Sequence, residues 1–390
     1  MTESTTRTPE RIPPIDPSKA EGALTGARYL ESLRDEREIW YRGKRITDVT
    51  THPELREMAH SLARIYDMQH APETRDVMTY EQENGLRASY SYYLPTEPEE
   101  LLLRRRNTEV WVREVFGMCG RLPDFCSSMV VGYYDIREQL AELDPALAKN
   151  TETYLSYARD HDLCLSHALH DPCMDKSLRP SQDPDRCVRV VKERDDGVIV
   201  RGARFNTLGL FSNEILVSPT YFFTEDEPEF AIWFTIPVST PGLKQVTREV
   251  YGGRNPQDHP VSSRFDEVDS LVIFDDVFVP WERIFLYREP LAANRLFRGN
   301  VMNWAAYAGT VLTQMRMEIL ITVAHLLAKS SGMDTRPHVV AALGEMCTYL
   351  SLLRSNLRAA EVACVTTPGG HYKPAPEAYQ GGLKLLGVEP

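Results

Sequence analysis

The sequence contains no apolar run approaching the roughly 20 residues that a bilayer-spanning helix needs, so no membrane association is expected. It also lacks the apolar core of a secretion signal. Its start, "MTESTTRTPERIPPIDPSKAEG", is polar and Pro-rich, which predicts an extended arm over residues 1–20 and a cytoplasmic protein. There is no basic excess: 44 Lys and Arg stand against 56 Asp and Glu, a net charge of -12. Nucleic-acid binding is therefore not expected, because phosphate contacts need clustered cations. No C-x-x-C occurs. The seven cysteines (Cys119, Cys126, Cys164, Cys173, Cys187, Cys347, Cys364) are scattered and odd in number, which favours reduced, buried thiols over disulfides or a zinc knuckle. No internal repeat is present.

What is present is 390 residues of globular composition, 42% apolar and 26% charged, enough for two or three domains with their own cores. The first 160 residues read as helical. "THPELREMAHSLARIYDMQH" spaces Leu55, Met58, Leu62 and Ile65 on one helix face, with Pro53 in the first turn. "TEPE" opens a second helix, with Thr96 as cap and Glu99 completing a capping box. "DFCSSMVVGYYDIREQLAEL" and "NTETYLSYARDHD" are further helices, the latter capped by Asn150. From Leu163 the pattern changes to strands. "CVRVVKERDDGVIVRGARF" predicts a hairpin turning at Asp196 and Gly197, and "EILVSPT", "FAIWFTIPV" and "DSLVIFDDVFVP" continue the β pattern to about residue 285. Two long amphipathic helices follow. Two helices do not close a bundle, so the last domain is expected to be incomplete or to borrow helices from another chain.

Five strings carry a resemblance: "GMCGRLPDF" (117–125), "DLCLSHAL" (162–169), "TPGLK" (240–244), "HPVSSRFDEVDSLVIFDDVFVPWERIF" (259–285) and "GMDTRPHVVAALGE" (332–345). In this order they resemble the oxygenase component of the 4-hydroxyphenylacetate 3-monooxygenase family. The resemblance implies an α+β, acyl-CoA dehydrogenase-like fold. Its parts would be an N-terminal helical domain (21–161), a central β-barrel domain (162–288) and a C-terminal helical bundle, here shortened (289–390). It implies a flavin monooxygenase that takes reduced FAD from a separate reductase and hydroxylates a 4-hydroxyphenyl substrate, free or tethered to a carrier protein, to a catechol. The unfinished bundle suggests a homodimer or homotetramer.

The resemblance also assigns residues. Arg121, Phe125 and His161 correspond to substrate-binding positions, with Arg121 and His161 as the catalytic pair, and Thr220 joins the substrate set. A guanidinium suits a carboxylate or phenolate because its donors lie in a fixed plane. Phe125 replaces a tyrosine usual in the family and so lacks its hydroxyl. A histidine with an ordinary pKa near 6.5 suits deprotonation of a phenol. The backbone of His167, Ala168, Leu169 and His170 is expected against the flavin, with Cys173 nearby in place of an amide and Thr207 donating a hydroxyl hydrogen bond at the flavin's reactive edge. No metal site is expected. Arg264 is expected to pair with Asp266 or Glu267, and "RRR" at 104–106 to form a solvated face.

Two rival readings accompany this one. A lyase like 4-hydroxybutyryl-CoA dehydratase would need an iron-sulfur cluster on cysteine thiolates, for which Cys119 and Cys126 are a poor pair. A shortened paralogue would act only beside a longer partner.

Overall fold

The computed structural model describes residues 12, 15–16, 20–172, 175, 177–219 and 222–377. Before residue 161 the chain forms α1 (Gly26–Ser32), β1 (Glu38–Tyr41), β2 (Lys44–Ile46), α2 (Arg56–Met68), α3 (Arg75–Met78), β3 (Thr79–Glu81), β4 (Arg87–Ser89), α4 (Leu101–Glu114), α5 (Pro123–Asp135), α6 (Arg137–Leu143) and α7 (Pro145–Asp160). Eight strands follow: β5 (Leu165–His170), β6 (Arg189–Arg194), β7 (Gly197–Thr207), β8 (Glu214–Val217), β9 (Ile232–Pro237), β10 (Leu243–Thr247), β11 (Asp269–Pro280) and β12 (Ile284–Tyr287). The chain then returns to helix in α8 (Pro290–Leu296), α9 (Met302–Ser330) and α10 (Pro337–Val362), before a small ladder of β13 (Val365–Thr366) and β14 (Tyr372–Lys373).

Local chemistry explains where these boundaries differ from the sequence reading. Pro53 lies in the turn before α2 rather than inside it. Ahead of α4, Glu100 and not Glu99 closes the capping interactions, accepting the backbone N–H of both Thr96 and Glu97. The cap of α7 is Asp144, whose carboxylate accepts the Ala146 N–H, because Pro145 at the first helical position starts the helix earlier. Asn150 is freed for a tertiary task, donating from Nδ2 to the carbonyls of Trp281 and Ile284 and so tying α7 to the last sheet strands.

Ten strands form one sheet, ordered β12-β9-β8-β5-β7-β11-β10-β1-β2, with β6 also pairing with β7. A barrel confined to 162–288 was expected. Instead β1, from the N-terminal region, pairs in parallel with β10 and extends the sheet, and no ladder among the described residues joins β12 to β2. Burial alternates along β7: Val198, Val200, Arg204 and Asn206 are buried while Arg201 and Phe205 are exposed. The buried face packs on α5 and α7 through Met129, Tyr133, Tyr154, Trp233 and Phe285. At the centre of that core lies a fully buried ion pair, Arg283 to Glu214 at 2.9 Å, and Glu214 also accepts the hydroxyls of Tyr154 and Thr235. Unpaired charges could not persist there; paired and hydrogen-bonded, they can.

The helical run Pro290–Ser330 is, by length and composition, apolar enough to cross a bilayer, contrary to the sequence reading. Its first half is a core element: Trp304, Ala305, Tyr307, Val311 and Met315 are buried. Of the "RRR" run only Arg106 is exposed. Arg104 is buried under the Trp304 ring and donates to the Tyr93 carbonyl and the Ser128 hydroxyl, and burial lowers its pKa to about 10. Arg105 pairs with the buried Glu361 at 2.9 Å.

Candidate active site

The stretch "RDHDLCLSHALHDP" becomes a helix end, a tight turn and a strand. His161 caps the C-terminus of α7, and Asp162 takes a left-handed conformation (φ 49°) that turns the chain into β5. A short polar residue tolerates that conformation best when its side chain is bonded locally. Here the Asp162 carboxylate is buried and accepts from the Leu24 N–H and from Gln69.

On β5 the side chains alternate across the sheet. His167 stands opposite Thr207 of β7, and Thr207 opposite Asp269 of β11, so these three form one rung on one sheet face. The Thr207 hydroxyl donates to the Asp269 carboxylate at 3.0 Å, which occupies its proton and leaves the oxygen as an acceptor. Both nitrogens of the His167 ring are buried and have no partner among the described residues. An orphaned imidazole in a dry setting is costly unless a ligand completes it.

The wall over His167 comes from α5. Pro123 opens this helix, and one turn places the Phe125 ring 5.7 Å from the His167 ring. The Arg121 guanidinium also lies over Phe125, 4.7 Å from its centroid. Its Nη1 donates to the Gly120 carbonyl, and among the described residues it forms no ion pair. Burial, with the Arg121 charge adding to it, pushes the His167 pKa down to about 3. The imidazole is therefore neutral at physiological pH.

Beyond Ala168 the strand bulges, so that His170 rather than Leu169 faces Phe205 on the open side. Arg204, buried on the opposite face, donates to the Leu169 carbonyl at 2.8 Å and pairs with Asp171 at 3.1 Å. The bulge exposes a carbonyl that needs a partner, and Arg204 supplies it. His170 is exposed at the edge of this face, its pKa lowered by burial and then by Arg121 and Arg204. Next to it runs an apolar rung, Phe205, Leu271, Val246 and Trp40, on which Phe205 and Val246 are 38% and 43% exposed.

Behind Phe125 is a cavity with room for about one water molecule, lined by Thr108, Cys119, Asp124 and Gly309. Burial raises the Asp124 carboxyl to about 7, and its Oδ2 has no partner among the described residues. On the Arg121 side, Glu267 accepts the Gly120 N–H, while Asp266 takes Arg248 at 2.7 Å. The expected ion pair of Arg264 with either acid does not form; Arg264 lies over the Phe265 ring.

The structure thus brings Arg121, Phe125, His167, His170 and Thr207 to one place. His161 is not among them. Its ring meets Tyr157 edge-on at 4.7 Å, its pKa is lowered by burial, and no contact joins it to Arg121 or Phe125. The turn at Asp162 separates the helix end from β5, so that His167 is the imidazole beside Phe125, while His161 Nδ1 is likewise buried without a partner among the described residues. Ala168 is fully buried on the far face and Leu169 is the bulge residue, so of the four strand positions only His167 and His170 face the open side. Cys173 and Thr220 lie outside the described residues. Sequence reading missed Arg204, Glu267 and Arg316 of α9, whose Nε donates to the Gly117 carbonyl, as groups packed around these residues. A lone arginine in the apolar run "LTQMRMEIL" was the one available signal for Arg316.

The chain matches the family models "4-hydroxyphenylacetate 3-hydroxylase N terminal" over residues 25–286 and "4-hydroxyphenylacetate 3-hydroxylase C terminal" over 293–387. It is 36% identical over 368 residues to the 4-hydroxyphenylacetate 3-monooxygenase oxygenase component of Thermus thermophilus, covering 93% of this chain and 76% of that one. It is 31% identical over 364 residues to an FADH(2)-dependent monooxygenase of Burkholderia cepacia, covering 92% and 70%. A crystal structure of the oxygenase component of 4-hydroxyphenylacetate 3-monooxygenase complexed with FAD and 4-hydroxyphenylacetate superposes with a TM-score of 0.88 at 36% identity, covering 93% and 76%. Butyryl-CoA dehydrogenase from Megasphaera elsdenii, at 14% identity, 73% and 67% coverage and a TM-score of 0.50, shares the fold.

Proposed function

The chain belongs to the 4-hydroxyphenylacetate 3-hydroxylase family of FADH2-dependent phenol monooxygenases, and on that premise we propose that it hydroxylates an anionic 4-hydroxyphenyl substrate ortho to its hydroxyl, giving a catechol. One observation carries this reading: a guanidinium in no ion pair among the described residues and a neutral imidazole without a partner among them both contact a single phenyl ring, Phe125. As an oxygenase component it works with a flavin reductase.

The residues present fit a flavin. The open sheet face offers a flat apolar rung, the Thr207 oxygen as an acceptor for an N–H, and His170 at its edge. When bound, the reduced flavin supplies the activation of dioxygen and the transfer of one oxygen atom. The protein's part is placement. His167 accepts the phenol O–H at a ring nitrogen and, held neutral by burial and by Arg121, draws on that proton without storing it. This raises electron density at the carbon to be hydroxylated. Arg121 takes the substrate's negative charge with the donors that no carboxylate among the described residues uses. Phe125 closes the wall, and its burial with that of His167 keeps water from the reacting atoms.

We further propose the three-part division near residues 161 and 288, a cytoplasmic location, and a homodimer or homotetramer. Leu320, Val323, Leu326 and Leu327 on α9, with Val340 and Leu352 on α10, form exposed apolar surface suited to a second copy. The same surface suits the rival in which a longer partner is required. Against the iron-sulfur reading stands the burial of Cys119 and Cys126, which raises both thiols well above their ordinary range and disfavours thiolates.

The test is to supply the purified chain with reduced FAD, dioxygen and a panel of phenols. Catechol formed in proportion to flavin oxidised is the expected result. Hydrogen peroxide alone with every phenol would overturn the reading, and activity gained only on adding a longer relative would favour the partner-dependent one.

A further inference from the structure

Arg121 sits at the end of a loop that has little reason to hold its shape alone. The loop leaves α4 through Phe116 and Gly117, both left-handed (φ 52° and 67°). Arg316 of α9 crosses it: its Nε donates to the Gly117 carbonyl and its Nη2 to that of Met118 at 3.3 Å. A Cβ at Gly117 would lie 2.8 Å from Arg316 Cγ, so glycine is needed for both the turn and the crossing. At the other end, the Gly120 N–H donates to Glu267 Oε2 at 2.5 Å, and the Gly120 carbonyl accepts from Arg121 Nη1 at 3.0 Å. Gly120 thus links the Glu267 carboxylate to the Arg121 guanidinium through one residue. The second oxygen of Glu267 is buried without a partner among the described residues. Two residues further on, Asp269 takes the Thr207 hydroxyl, so one short segment ties the Arg121 loop to the His167–Thr207 rung.

We propose that Glu267 is the positioning residue for Arg121: by holding Gly120, its carboxylate sets the guanidinium over Phe125, where the negative charge of the substrate is bound. This rests on the substrate site proposed above. Glu267 need not touch the substrate for this role. Its loss would be felt by the charged part of the substrate and little by the phenol ring.

The test compares Glu267→Ala and Glu267→Gln with the wild-type chain, using 4-hydroxyphenylacetate as the anionic probe and 4-methylphenol as its neutral counterpart. Binding is read on the flavin-free protein by tryptophan fluorescence, and KM and kcat are read with reduced FAD. A charge-assisted hydrogen bond is at stake, so Glu267→Ala should weaken binding of the anion and raise its KM by about ten- to a hundredfold, with kcat and the neutral phenol changed less than about threefold. Glu267→Gln keeps a carbonyl for the Gly120 N–H and should recover most of the loss. Equal weakening of both phenols, no change in Glu267→Ala, or a Gln variant as impaired as Ala would each overturn the assignment. Should Glu267→Ala not fold, Glu267→Asp, shorter by one methylene, must show the same selective loss, and an unselective one refutes the role. If the wild-type chain makes only peroxide with every phenol, the proposed reaction fails, and binding to the flavin-free protein still decides this inference.

Discussion

His167 ties the chemistry of the site to the stability of the whole chain. Its native pKa is about 3, burial being the main cause, against roughly 6.5 in an unfolded chain. Between those values the unfolded state holds a proton that the native state does not. Stability therefore rises with pH through this window and is lost as pH falls below about 6.5. Each pH unit of that window is worth about 1.4 kcal/mol, so acidification from about pH 7.5 to about pH 5 should cost about 2 kcal/mol through this one residue, and about 5 kcal/mol by the bottom of the window. A His167→Gln variant lacks the titrating group. Urea unfolding of both proteins at the two pH values isolates the effect, because His161, His170 and His371, whose pKa values are also lowered by burial, contribute to both. The wild type should lose about 2 kcal/mol more than the variant, read at constant denaturant slope. Equal losses would mean that the imidazole carries its proton in the native state, and that the neutral acceptor assigned to the phenol does not exist.

Two further substitutions probe the walls of the site. Phe125→Tyr places a hydroxyl at the aromatic wall between Arg121 and His167. One added hydrogen bond of about 0.5 to 1.5 kcal/mol should lower KM for the preferred phenol roughly two- to tenfold, and an unchanged or higher KM would show that the ring edge does not face the ligand. Arg204→Met removes the partner of Asp171 and of the bulge carbonyl; breaking a buried pair of this kind costs about 3 to 5 kcal/mol. The expected outcome is a lower melting temperature together with weaker reduced-FAD binding in a fluorescence titration. Loss of stability with flavin affinity intact would separate Arg204 from the site.

Periodicity made the helix and strand grammar legible. The alternation in "GVIVRGARF" and the spacing in "REMAHSLARIYDM" correspond to β7 and α2. It did not reveal β1, because Glu38–Tyr41 is four residues long and is stabilised by a parallel partner more than 200 positions away. The site was legible as a set of neighbouring strings, and the spacing of its two histidines within the fold was not. His161 and His167 are equivalent by composition, and only the left-handed turn at Asp162 determines which of them reaches Phe125. Glu267 was read as half of a local ion pair. Its actual partner, the Gly120 N–H, is a backbone group that no side-chain pattern announces.

The crossing of Arg316 over Gly117 has a consequence for biogenesis. The two residues are 199 positions apart, and Glu267 is 147 from Gly120, so the anion pocket is among the highest-separation contacts of the fold. Because α9 supplies Trp304, Ala305, Leu312 and Met315 to the two main cores, the Arg121 loop is locked in the same late step that completes them, and contacts of such separation form late. An immature chain therefore lacks a shaped phenol site until most of its length has been made.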